Sequence, residues 1–178
     1  MFMRFVKAAF IIASLLAGSS APVRADEPSA VLLKRVDELV RWIAANSDYP
    51  MELKKAPNFV FQSPAVIRQR FSGTAMGYSA DTSSVMAAQF GGTIYLSDTF
   101  ELGRDDYILL HELVHHLQDE NGKTFKCIAE REREAYLLQS RFVAETGTGE
   151  APNDIYMLML RCDVRLGGPL DKRPVPLL

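Results

Sequence analysis

All three histidines of this 178-residue chain fall in one run, His111-Glu112-Leu113-Val114-His115-His116. The first five residues form the H-E-x-x-H pattern. On a helix, residues four apart share a face, so His111 and His115 can aim their imidazoles at one ion. Glu112 then stands beside the ion rather than on it, where a carboxylate can take a proton from water that the ion activates. His116 lies about 100° round the helix from His115 and is expected to stay off the ion. The chemistry such a pattern would do is hydrolysis assisted by one Zn2+ per chain, with peptide or protein as the first substrate class to consider.

A catalytic zinc takes three protein ligands and keeps one position open. With no other histidine in the chain, the third ligand must be a carboxylate, and a histidine-bearing extension of the motif is excluded. The segment Cys127 to Phe142 has strong helix propensity and offers Glu130, Glu132 and Glu134. Its apolar face runs through Cys127, Ile128, Ala135, Leu138 and Phe142. Glu134 lies about 70° from the centre of that face, Glu132 about 85° on the other side and Glu130 about 110° away. A ligand should border the buried face, which favours Glu134 by a small margin and leaves Glu132 open. Cys127 is a rival, because thiolates bind zinc well. Tyr95, Tyr136 and Tyr156 are all candidates to stabilise an oxyanion.

His-Glu-x-x-His followed by Glu134-Ala135 on a later helix resembles the gluzincin clan of zincin metalloproteases, best known from thermolysin-like enzymes. The likeness covers roughly residues 58–142 and is nearest to the minimal gluzincins. It also resembles an exported bacterial family of unknown function with this motif and a Glu-Arg-Glu-Ala-Tyr run. The resemblance implies a metallopeptidase with His111, His115 and Glu134 on zinc and Glu112 as general base. One departure is Leu138, which stands where the clan carries an Asp that supports a ligand histidine. That support is expected from Gln139 or a backbone carbonyl instead.

The elements that must position these residues follow from periodicity. Ser29 caps a helix over 29–46, with Val31, Leu32, Val36, Leu39, Val40 and Ile43 as its stripe. Residues 58–62 read as a strand, and Ser63-Pro64 opens a helix to about Phe71. Two strands, 84–90 and 93–97, flank the turn pair Gly91-Gly92. Thr93 to Ser97 is placed to be an edge strand that holds substrate. The motif helix should start near 104–106 and stop at Asn121-Gly122. A last helix is expected over 153–166, with Ile155, Leu158, Met159 and Cys162 inward. The sum is a small α+β domain, mostly helical, with a short antiparallel-type sheet.

Residues 1–25 have the form of a secretory signal peptide: Arg4 and Lys7, an apolar run over 8–17, and Val23-Arg24-Ala25 for cleavage. The rest, 26–178, is long enough for one domain with its own core. Export to a periplasmic or secreted location, with no stable membrane anchor after cleavage, is the expectation. The pair Cys127 and Cys162 then suits a disulfide. After cleavage the chain carries 17 basic and 22 acidic residues, net −5, which argues against nucleic acid as a partner. A zinc-binding domain with a structural or partner-binding role is the rival reading; it makes Glu112 dispensable. An interaction protein without any metal is a third.

Overall fold

The computed structural model describes residues 28–71 and 86–163. The expected signal peptide and the Pro-rich tail lie outside them. The element order is α1 (Ala30–Ala45), β1 (Asn58–Gln62), α2 (Pro64–Phe71), β2 (Ala87–Phe90), β3 (Thr93–Ser97), α3 (Asp106–Glu120), α4 (Ile128–Thr146) and α5 (Asp154–Met159). The class is α+β, as expected.

The local signals act as their chemistry requires. The Ser29 hydroxyl accepts the Leu32 N–H at 3.2 Å and caps α1. Gly91 and Gly92 take φ of 58° and 78°, so the two-residue turn matches the twist of the strands it joins. Gly147, at φ 68°, ends α4 with its N–H on the Val143 carbonyl.

The sheet has strand order β1-β3-β2. β2 runs antiparallel to β3, but β1 is parallel to it, so the sheet is mixed rather than purely antiparallel. β3 is the central strand, and both its edges are used. Thr93–Ser97 therefore cannot receive a substrate strand, contrary to the expectation. The sequence of a hairpin does not show that a distant segment, Asn58–Gln62, takes its other side.

The two sheet faces are covered differently. Ile94 and Leu96 face the main core with Leu32, Val36, Leu39, Val40 and Ile43 of α1, Leu109 to Leu117 of α3, and Ala135, Leu138 and Phe142 of α4. Ala88 and Tyr95 face the other way, onto Ile67 and Phe71 of α2. The α3 helix is thus enclosed by sheet and two helices. Asp106 at its first turn is buried and paired with Arg35 of α1 at 2.6 Å. The α5 helix is a smaller appendage, joined through Cys127, Ala129 and Leu160. Its Ile155, Leu158 and Met159 point outward, not inward. The Cys127–Cys162 disulfide, which forms as expected, and the Asn153 cap turn Tyr156 and Met157 toward the domain instead.

Candidate metal centre

Helix α3 delivers His111 and His115 from one face, four residues apart, and both are buried. Their Nε2 atoms lie 3.0 Å apart. The third group at that point is Glu132, with one carboxylate oxygen 3.3 Å from His111 Nε2 and the other 3.3 Å from His115 Nε2. These three side chains place their ligand atoms within 4.8 Å of one another and could hold a metal ion. Atoms on a tetrahedral zinc with bonds of about 2.0–2.1 Å sit roughly 3.3 Å apart, which is the spacing seen here.

The outer nitrogens decide what the inner ones can do. His111 Nδ1 donates to Gln139 Oε1 at 3.0 Å, and His115 Nδ1 donates to Gln118 Oε1 at 2.8 Å. In both rings the Nδ1 proton is thus held by a glutamine carbonyl, and Nε2 is turned to the centre. Both Nε2 atoms then present lone pairs to each other and to a carboxylate. Three such groups at 3.0–3.3 Å lie together without repulsion when a proton or a metal ion is among them. The donor set, two imidazoles and a carboxylate, suits a divalent transition-metal ion.

The sequence-based choice of Glu134 as third ligand is corrected by this geometry. Glu134 turns to the other flank of α4, where its carboxylate accepts from Tyr49 Oη and Gln118 Nε2, each at 3.1 Å, and pairs with Lys123. Glu130 is exposed and accepts the Lys126 N–H. The apolar stripe of α4 has two borders, and helix geometry ranks them almost equally. What decides is how α4 crosses α3. The border carrying Glu132, Tyr136 and Gln139 faces the histidines: Glu132 and Gln139 bond them, and the Tyr136 ring sits 4.3 Å from that of His111. Those three stand at i, i+4 and i+7, a polar stripe beside the apolar one that could have marked this border.

Charge follows position. Burial would raise the Glu132 carboxyl, but His115 and His111 beside it outweigh that and hold the group well below the usual carboxylate range. Burial pushes Glu112 the opposite way, to about 7, with the Glu132 charge adding to it. His111, Arg131 and a hydrogen bond from the Gln89 backbone oppose that rise. Gln89 lies on β2, whose Ala88 and Phe90 face β3 for hydrogen bonding, so Ala87 and Gln89 turn their backbone groups toward the outer edge. The side of β2 away from β3 thus borders Glu112.

Residues 28–166 match the family described as Domain of unknown function (DUF6647), a span that includes every residue of this centre. The chain belongs to that family. No curated protein and no solved structure matches it.

The remaining expectations divide. In this DUF6647 domain, His116 donates from Nε2 to the Lys55 carbonyl at 2.8 Å and stays off the centre. Cys127 is in the disulfide and is no ligand. Tyr95 lies on the α2 face of the sheet against Phe71, away from the histidines. Tyr136 and Tyr156 pack ring to ring, their centroids 5.3 Å apart. Both phenols are raised, by burial first and by the nearby Glu132 charge.

Proposed function

We propose that this chain is an exported zinc-dependent hydrolase, with a peptide or protein as its substrate. The observation that carries the reading is the meeting of three ligand groups, His111 Nε2, His115 Nε2 and the Glu132 carboxylate, with Glu112 buried beside them. A zinc bound there would supply Lewis acidity, polarising a carbonyl and bringing the pKa of water toward neutrality.

The chain's own groups would do the rest. Glu112, near 7, can take a proton from water and later give it to a leaving amine. Tyr156, packed on Tyr136 near the Glu132 carboxylate, would offer its O–H to a developing oxyanion. An extended peptide would lie along the outer edge of β2, where backbone groups of Ala87 and Gln89 are directed. The disulfide supports an oxidising compartment.

The test is metal analysis of the exported chain followed by a peptide-library cleavage screen, with Glu112→Gln beside the wild type. One zinc per chain and cleavage lost in Glu112→Gln are expected. Zinc without cleavage in either protein would leave the non-catalytic zinc domain. No zinc, even after it is added back, would sink the metal reading.

A further inference from the structure

Gln118 is a fully buried amide with every valence used. Its carbonyl accepts from His115 Nδ1 at 2.8 Å and from Arg131 Nε at 3.1 Å. Its amino group donates to the Arg131 backbone carbonyl and to Glu134 Oε2, each at 3.1 Å. Turning the amide over would set its NH2 against two donors and its carbonyl against two acceptors, so its four partners set its direction together. His111 has a simpler brace: Gln139 Oε1 accepts from Nδ1, and Gln139 Nε2 donates to the Glu150 carbonyl at 2.9 Å.

From this we infer that Glu134 is a positioning residue for the metal centre, acting on His115 through Gln118. The inference rests on the metal-binding reading. Among the described residues Glu134 is the only anion that touches Gln118, and it accepts without competing to donate. It holds the amino end of Gln118, which leaves the carbonyl end for His115 Nδ1–H. That fixes the tautomer whose Nε2 lone pair meets Glu132 and His111. Tyr49 and Lys123 hold Glu134 in turn, from the loop after α1 and the turn before α4. The carboxylate is thus two hydrogen bonds from the donor atom it controls. Outer partners of this kind typically change metal affinity by about 10–100-fold.

The experiment compares the exported wild type, Glu134→Gln, and the exchange variant Glu134→Gln/Gln118→Glu, which keeps the net charge and restores an amide–carboxylate pair in reversed order. Zinc affinity is read by chelator competition and ligand geometry by the visible spectrum of the Co2+-loaded protein. Imidazole 15N–1H correlation of the metal-free protein reads the tautomer directly, since the chain has three histidines. Expected are a loss of about 10–100-fold in zinc affinity for Glu134→Gln, a changed Co2+ spectrum, and Nε2–H signal appearing at His115 but not His111. The exchange variant should recover most of the affinity.

A purely structural Glu134 would lower melting temperature and leave tautomer and spectrum as they are, which would overturn the proposal. So would zinc affinity and tautomer both unchanged in Glu134→Gln while the wild type binds zinc. Wild type that binds no zinc, with His115 still changing tautomer in Glu134→Gln, would remove the metal reading and leave the hydrogen-bond relay standing. Should Glu134→Gln fail to fold, Lys123→Met and Tyr49→Phe loosen Glu134 without touching Gln118. Each must then shift the same tautomer signal by a smaller amount, and silence in both would also overturn the proposal.

Discussion

Helix α3 buries every residue from Leu109 to Gln118, whereas α5 buries none of its own. Both border the same centre. The first carries His111, Glu112 and His115 in the middle of the main core, between the sheet, α1 and α4. The second contributes Tyr156 from an exposed six-residue helix held by a disulfide, Leu160 and two tyrosine rings. A helix buried on all sides, polar groups included, has to be surrounded, and here the sheet, α1 and α4 do so. The donors gain fixed positions from that. A rim with few buried contacts opens locally at low free energy, which is where a substrate could enter.

The sharpest way to test the contrast is to remove one donor. Glu132→Ala should cost about a third of a typical structural-zinc binding free energy of roughly 10–16 kcal/mol, so on the order of 1000-fold in affinity. Competition titration with a chromophoric chelator measures it. An affinity kept within about tenfold would mean that the α3–α4 interior does not hold the ion through Glu132.

Next in size is the core itself. Leu113→Ala, at a fully buried site between His111 and His115, should destabilise the domain by about 3–4 kcal/mol in urea unfolding. Leu158→Ala on α5, where the side chain is 69% exposed, should stay within about 0.5 kcal/mol. Equal costs at the two sites would erase the distinction between interior and rim.

Cutting the staple separates the two regions most cleanly. The disulfide closes a separation of 35 residues, and Cys127→Ser/Cys162→Ser should lose roughly 3–4 kcal/mol on the chain-entropy model. Limited proteolysis should then cut at α5 first, with zinc affinity kept within a few-fold because no ligand lies on that helix. Metal loss as deep as in Glu132→Ala would show that the rim is part of the metal centre rather than its border.

How much of this was legible in the sequence divides along the same line. The H-E-x-x-H face, the Gly91-Gly92 turn, the Ser29 cap and the Cys127–Cys162 pair all rest on short-range geometry or on a count of two, and the structure shows each of them. Glu132 over Glu134 was not legible, because two borders of one helix differ only by the angle at which another helix crosses it. The central place of β3 needed the non-local partner Asn58–Gln62. The outward turn of Ile155, Leu158 and Met159 runs against hydrophobicity and follows from where Asn153 and Cys162 tether a helix too short to choose its own face.

The smallest expected effect concerns how the buried helix begins. Asp105, the residue before α3, accepts from Arg104 at 2.7 and 2.9 Å and from the Glu101 N–H at 2.9 Å. The Arg104 hydrogen bonds, then that of the Glu101 backbone, hold its carboxyl below the usual range against the opposing pull of burial. A depressed folded-state pKa stabilises the fold at pH above the unfolded value of about 4 and loses that contribution as pH falls through the folded value. Asp105→Asn should therefore be less stable than wild type at pH 6, by about 1 kcal/mol once the exposure of Arg104 is discounted. The gap should narrow on going to pH 3. Urea unfolding of both proteins without metal at the two pH values measures it, and the other carboxylates largely cancel in the difference. A gap that is constant or widens toward acid would mean that the charge of Asp105 does not help to set the start of the helix that carries the centre.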